Sequence, residues 1–148
     1  MALNLGKAFE KQFQKDWTES FPQSFLYRLP DQMTGMYGSR NIGDFICFNN
    51  GKLYVLDTKT IKGCSIPISC LTQLDMMLPF SDVEGCVLGF VIWYYDKDVV
   101  GFLSAKQTAI YKEEGKKSVR YDDPNLFVFP GAKKRKFIST DYTSIERM

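Results

Sequence analysis

Asp57 and Lys59 stand two residues apart at the end of the apolar run Leu53-Tyr54-Val55-Leu56, and Asp44 precedes them across a turn in Gly43-Asp44-Phe45. Side chains two apart in a strand point the same way, so Asp57 and Lys59 share a face with Leu53 and Val55. A carboxylate beside an ammonium on a largely apolar face has two readings. One is a structural ion pair. The other is a metal-dependent phosphodiester cleavage site, in which Asp44 and Asp57 hold a hard divalent cation and Lys59 orients the attacking water or offsets charge on the phosphorane. Two acids near a hairpin are common, so on spacing alone both readings stay open. Glu10 borders the apolar stripe of the first helical segment and is either a flanking surface acid or an inward-looking one. Gln73, beside Leu74, either bonds a water or phosphate or solvates a helix surface.

Other chemistries lack their residues. The chain has no histidine, which removes a histidine base and every histidine-dependent triad. Neither GxGxxG nor GxxxxGK[ST] occurs, so dinucleotide and P-loop sites have no support. A two-carboxylate glycosidase site would leave Lys59 without a role. Cys47, Cys64, Cys70 and Cys86 form no CxxC and are poorly spaced for zinc. The formal charge is only +2, but residues 112–136 gather Lys112, Lys116, Lys117, Arg120, Lys133, Lys134, Arg135 and Lys136. That run is a solvated face or an anion-binding one. The apolar run at 86–95 is too short to span a bilayer, and charges interrupt any apolar N-terminal stretch. The expectation is a soluble cytoplasmic protein with reduced cysteines and no membrane partner.

The elements that must position these residues follow from periodicity. Leu5, Phe9, Phe13 and Trp17 recur every four residues, which predicts an amphipathic helix over 4–17. Strands are predicted at 25–29, 45–48, 52–59, 86–95 and 99–103, with Asn49-Asn50-Gly51 as a tight hairpin turn. Ser69 is expected to cap a helix reaching about residue 78. Ser104 with Gln107 has capping-box spacing for a helix ending near Gly115. Residues 30–43, with Gly35, Gly38, Met33, Met36, Tyr37 and Arg40, make a loop long enough to suggest function. At 148 residues, 45% of them hydrophobic, one domain over 1–148 is expected, an α/β fold with a central mixed sheet flanked by helices.

The order Gly6-x-x-Phe9-Glu10, Tyr27-Arg28-Leu29, Gly43-Asp44-Phe45 and Asp57-Thr58-Lys59-Thr60 resembles the RecU family of Holliday junction resolvases, within the PD-(D/E)xK or restriction-endonuclease-like superfamily. The likeness continues through Gly63-Cys64-Ser65-Ile66-Pro67, Gln73, Gly89-Phe90-Val91-Ile92 and Gly115-Lys116-Lys117-Ser118-Val119-Arg120. It implies a restriction-endonuclease-like core with a short protruding stalk at about 30–43. It also implies a homodimeric, Mg2+-dependent endonuclease (Mn2+ as substitute) that cuts four-way DNA junctions in a bacterial or phage-infected cell. Asp44 and Asp57 would be metal ligands, with Glu10 and the Thr58 carbonyl completing the set. Lys59 and Gln73 would act beside them. Arg40, Lys62, Lys116, Lys117, Arg120, Lys133, Lys134 and Arg135 would meet DNA. Relatives more often have Glu at the place of Asp57, and many carry a longer basic arm and a larger stalk. A less selective nuclease of the superfamily, or a non-catalytic DNA-binding protein with Asp57–Lys59 as an ion pair, are the alternatives.

Overall fold

Asn50 and Gly51 take left-handed backbone conformations, φ 52° and 76°, which is what a two-residue hairpin turn with the strands' own twist requires. The turn joins β2 (Phe45–Asn49) to β3 (Lys52–Ile61) in the register Asn49 opposite Lys52 through Phe45 opposite Leu56. The computed structural model describes residues 4–30, 41–133 and 138–147. β1 (Phe25–Arg28) adds antiparallel to the outer side of β2. On the other side β3 runs parallel to β5 (Cys86–Tyr94), which pairs antiparallel with β6 (Val99–Ser104), and β6 with the short β8 (Phe127–Val128). The result is a six-stranded mixed sheet in the order β1-β2-β3-β5-β6-β8.

One face of this sheet is covered by α1 (Leu5–Ser20). The Asn4 side chain accepts the Lys7 N–H at 3.1 Å, a cap that contributes about 1 kcal/mol. The four-residue stripe then buries Phe9, Phe13 and Trp17 completely or nearly so. Phe13 meets Phe45 at 4.7 Å, Trp17 meets Tyr54 at 5.3 Å and Phe9 meets Trp93 at 5.5 Å between ring centroids. Each such ring stabilises the fold by about 1.5–3 kcal/mol through burial. Asp16, on the same helix and buried, accepts the Thr140 N–H at 2.9 Å and the Gln12 amide at 2.8 Å. This ties α1 to the hairpin of β9 (Gly131–Lys133) and β10 (Ile138–Thr140). Burial raises the Asp16 pKa despite these donors. Neither the tie nor this hairpin is foreshadowed by periodicity.

The opposite face packs a second cluster around Val55, Leu88, Phe90 and Ile92. It is covered by the segment between β3 and β5 and by α3 (Ala105–Glu113), whose Ser104 hydroxyl accepts the Gln107 N–H as the capping spacing predicts. Gly115, at φ 80°, follows its end. The predicted helix capped by Ser69 does not form. Residues Ile68–Cys70 make a 3-10 turn after β4 (Ser65–Pro67), α2 is a single turn at Leu74–Met77, and Leu78–Phe80 is again 3-10. Pro67 fixes an extended backbone at the start, and β4 spends its polar groups pairing with β7 (Ser118–Arg120). Pro79 then removes the amide that a longer α2 would need. Among the described residues no helix is long and apolar enough to cross a membrane.

Candidate metal and nucleic-acid site

Gly43 decides where Asp44 stands. A Cβ at residue 43 would lie 2.9 Å from the Leu56 carbonyl oxygen, so only glycine lets the chain pass this close to β3. The Asp44 N–H then donates to Leu56 O at 2.9 Å, and its carbonyl accepts the Leu29 N–H at 2.8 Å. Asp44 thus lies at the mouth of β2, opposite the point where β3 carries Asp57. Its Oδ2 accepts both the backbone N–H and the hydroxyl of Thr58, each at 2.8 Å. The N–H and C=O of a strand residue lie on the same edge, so the Thr58 carbonyl faces the side of β3 where β2 has already ended.

Asp57 is 1% exposed. Lys59 Nζ lies 3.1 Å from its Oδ2, with 24% of the lysine side chain exposed. Oδ2 makes no well-formed hydrogen bond, and the contact with Lys59 is an ion pair. Burial pushes the Asp57 pKa up to about 7, the neighbouring Asp44 charge pushes the same way, and Lys59 opposes both without prevailing. Two carboxylates converge here, and one ammonium does not neutralise them.

Glu10 is engaged elsewhere. Its Oε2 accepts from Arg28 Nε at 3.2 Å and from the terminal guanidinium nitrogen at 2.9 Å, across α1 and β1. Among the described residues no three acids, cysteines or histidines come together as a metal cluster, so Glu10 does not join the Asp44–Asp57 pair in this conformation. Gln73 precedes α2 rather than riding on a helix, and its amide oxygen accepts from the Thr72 hydroxyl at 3.1 Å. The sequence pattern did not single out Arg28 as Glu10's partner or the Thr58 hydroxyl as Asp44's. A helical acid and a single arginine on an edge strand carry no local mark of their contact.

The residue types present suit a hard cation. Asp57 carries a buried oxygen with no hydrogen bond and stands next to the Asp44 carboxylate, so the pair offers oxygen donors of the kind a hard cation takes. Mg2+ is commonly held by one or two carboxylates plus water and substrate phosphate, so a pair of this kind would fit it. Cys47 does not join the pair: burial raises its thiol pKa, and it sits on the other face of the sheet.

The cationic residues divide. Lys62 and Lys117 are exposed. Lys116 lies 3.2 Å from Asp123 Oδ2 and 4.5 Å from the Tyr111 ring centroid. Asp123 is buried, which raises its pKa. The Tyr111 hydroxyl at 2.6 Å, the Asn125 N–H at 2.8 Å and Lys116 outweigh that and hold it below the usual range. Lys116 is thereby committed to a structural clamp between α3 and the turn after β7. Arg120 pairs with Asp122 at 2.9 Å. Lys112, Lys116 and Lys117 line an open groove of about 610 Å³ with Ser69 and Thr72, and this groove does not include the acid pair. Arg40, Lys134 and Arg135 lie outside the described residues, as do residues 31–40 of the stalk predicted at about 30–43, and of Lys133 only the backbone is described.

No family model matches the chain, and no curated protein does. Among solved structures it is similar to Hjc of Archaeoglobus fulgidus, a Holliday junction resolvase from an archaeal hyperthermophile. The likeness has a TM-score of 0.50 at 14% identity and covers 68% of this chain and 78% of that one. At that identity what the two proteins share is the fold, a mixed sheet flanked by helices, broadly consistent with a restriction-endonuclease-like architecture.

Proposed function

We propose that the protein is a RecU-like, metal-dependent endonuclease that acts as a homodimer on branched DNA, four-way junctions above all. The observation that carries this reading is the meeting of Asp44 and Asp57 at the mouth of one hairpin, with Lys59 3.1 Å from Asp57. The likeness in fold to a Holliday junction resolvase supports the choice of substrate. Asp44 and Asp57 would hold Mg2+ (or Mn2+), with the Thr58 carbonyl at the same opening and Glu10 available when Arg28 releases it. When bound, the cation supplies Lewis-acid polarisation of the phosphate and a more acidic water.

The chain's own residues do the rest. Thr58 fixes the Asp44 carboxylate through two donors, so one ligand is oriented before substrate arrives. Burial keeps Asp57 a poor anion until a cation is present, which couples its ionisation to loading of the site. Lys59 is held against Asp57 yet partly exposed, a position from which its ammonium can orient a water or offset charge on the phosphate. Lys62, Lys117, the Lys112–Lys117 groove, Arg40 and the basic residues near 133–135 would contact backbone phosphates. Gln73 would contact a water or phosphate. A two-fold protein matches a two-fold junction. The single domain over 1–148, its short stalk and a cytoplasmic setting in a bacterial or phage-infected cell belong to the same proposal.

The test is cleavage of labelled four-way junctions with duplex competitor and a metal titration. Wild type should cut only with Mg2+ or Mn2+, and Asp57→Asn should bind junctions while failing to cut them. Absence of cleavage on both junction and duplex with either metal would remove the enzyme reading and leave a DNA-binding protein. Equal binding of junction and linear duplex would leave a less selective nuclease.

A further inference from the structure

Two cross-strand rows on one face of the sheet carry only uncharged, mostly apolar side chains. Phe25 lies opposite Phe48, Phe48 opposite Leu53 and Leu53 opposite Cys86; in the next row Tyr27 lies opposite Ile46, Ile46 opposite Val55 and Val55 opposite Leu88. The β3–β5 ends of these rows are under the second core cluster, with Val55 and Leu88 buried. The β1–β2 ends are about half exposed. Phe25 is 56% exposed, Tyr27 49% and Phe48 48%, and the Phe25 and Tyr27 rings lie parallel to within 9°. β1 is also the edge of the sheet.

We infer that this face is where a second copy of the chain docks. The inference deepens the proposed homodimer and rests on it for the identity of the partner. Three half-exposed rings offer about 300 Å² of apolar surface, given roughly 150–250 Å² per aromatic side chain. Ile46 and Leu53, both half-buried, extend it. An interface of ordinary size buries about 800 Å² per partner, a little over half of it apolar, so the patch supplies most of the apolar share that a stable dimer needs. Its composition points the same way, since aromatic residues without charges mark an interface core. Nucleic acid fits less well: neither row offers a cation to meet phosphate. Asp57 shares this face two residues beyond Val55 along β3, about 7 Å from the nearer row and about 14 Å from the row of Phe25, Phe48 and Leu53 at strand rise. A two-fold axis centred on the farther row, near Phe25 and Phe48, places the acid pair of each copy at the rim of the interface.

Sedimentation equilibrium of the full chain tests this, with Phe48→Glu, Tyr27→Arg and the control Val128→Glu, which charges an equally exposed residue on the opposite edge strand. Wild type should be a dimer. The first two variants should raise the dissociation constant by about 30-fold or more, as expected for a hot-spot side chain, and Val128→Glu should not. Thermal melts followed by circular dichroism identify any variant that fails to fold; if Phe48→Glu does, Tyr27→Arg decides. A monomeric wild type, dimers unaffected by both variants, or equal weakening by Val128→Glu would overturn the inference. Metal-dependent cleavage is read in parallel. A monomer that cuts DNA refutes the docking surface and the homodimer while leaving the nuclease chemistry standing, whereas a dimer that the two variants disrupt but that cuts nothing refutes the nuclease reading alone.

Discussion

Replacing Asp57 by asparagine should make the metal-free protein more stable while removing its proposed activity. The carboxyl is 1% exposed and its pKa is raised from 3.8 to about 7, by burial first and by Asp44 second. A group whose folded pKa exceeds its unfolded one keeps its proton more readily in the folded state, so ionisation costs stability. The cost is absent below about pH 4, grows through the interval to about 7 and is full above it. At about 1.4 kcal/mol per pKa unit the ceiling is about 4 kcal/mol. Asparagine keeps the shape and removes the charge. Lys59 then loses its counter-ion, but its side chain is 24% exposed and can return to water, so the gain expected at pH 8 is about 1–3 kcal/mol. For a chain of this size that is roughly 3–10 °C in Tm. Calorimetry of both proteins in EDTA at pH 8 and pH 4 measures it: the difference should be large at pH 8 and fall below about 1 kcal/mol at pH 4. A variant that melts lower than wild type at pH 8, or a gain independent of pH, would refute the argument that Asp57 is a buried, under-compensated charge.

Three further outcomes follow from the site's glycine and the neighbouring lysines. Gly43→Ala must move β2 away from the Leu56 carbonyl or strain the chain, so it should cost about 1–3 kcal/mol in urea unfolding and depress cleavage as Asp44 shifts. Lys117→Ala should reduce the salt dependence of DNA binding by about one phosphate contact. Lys116→Ala should instead lower stability, because its ammonium belongs to the Asp123–Tyr111 clamp. Salt-titrated binding isotherms and thermal melts of the two variants separate these effects.

The parts of the fold written in local pattern could be read from the chain. The α1 stripe, the Asn50-Gly51 turn, the β2–β3 hairpin, the apolar β5 and the Ser104 cap each depend on residues within a few positions of one another, and the structure has them all. What escaped was set by distant partners. β7, β9 and β10 are three-residue strands stabilised by pairing, and α2 is shortened by Pro79 and by the pairing of β4 with β7. The same division runs through the site. Asp57 and Lys59 share a face because strands alternate, which spacing reveals. That Glu10 is held by Arg28, or that Lys116 is spent on Asp123, depends on packing between elements far apart in sequence.

The hairpin has an evolutionary corollary. Asp44 and Asp57 are brought together by the register of β2 on β3, and Thr58 on the same strand grips Asp44. Substitutions within the two strands leave that alignment intact as long as the apolar alternation survives. Loss or gain of a single residue between the acids slips the register and turns every side chain on one strand to the other face. Lineages carrying this hairpin are thus free to diverge in identity while being held to a fixed interval between the acids, and kinship among them would be preserved in spacing long after it has faded from composition.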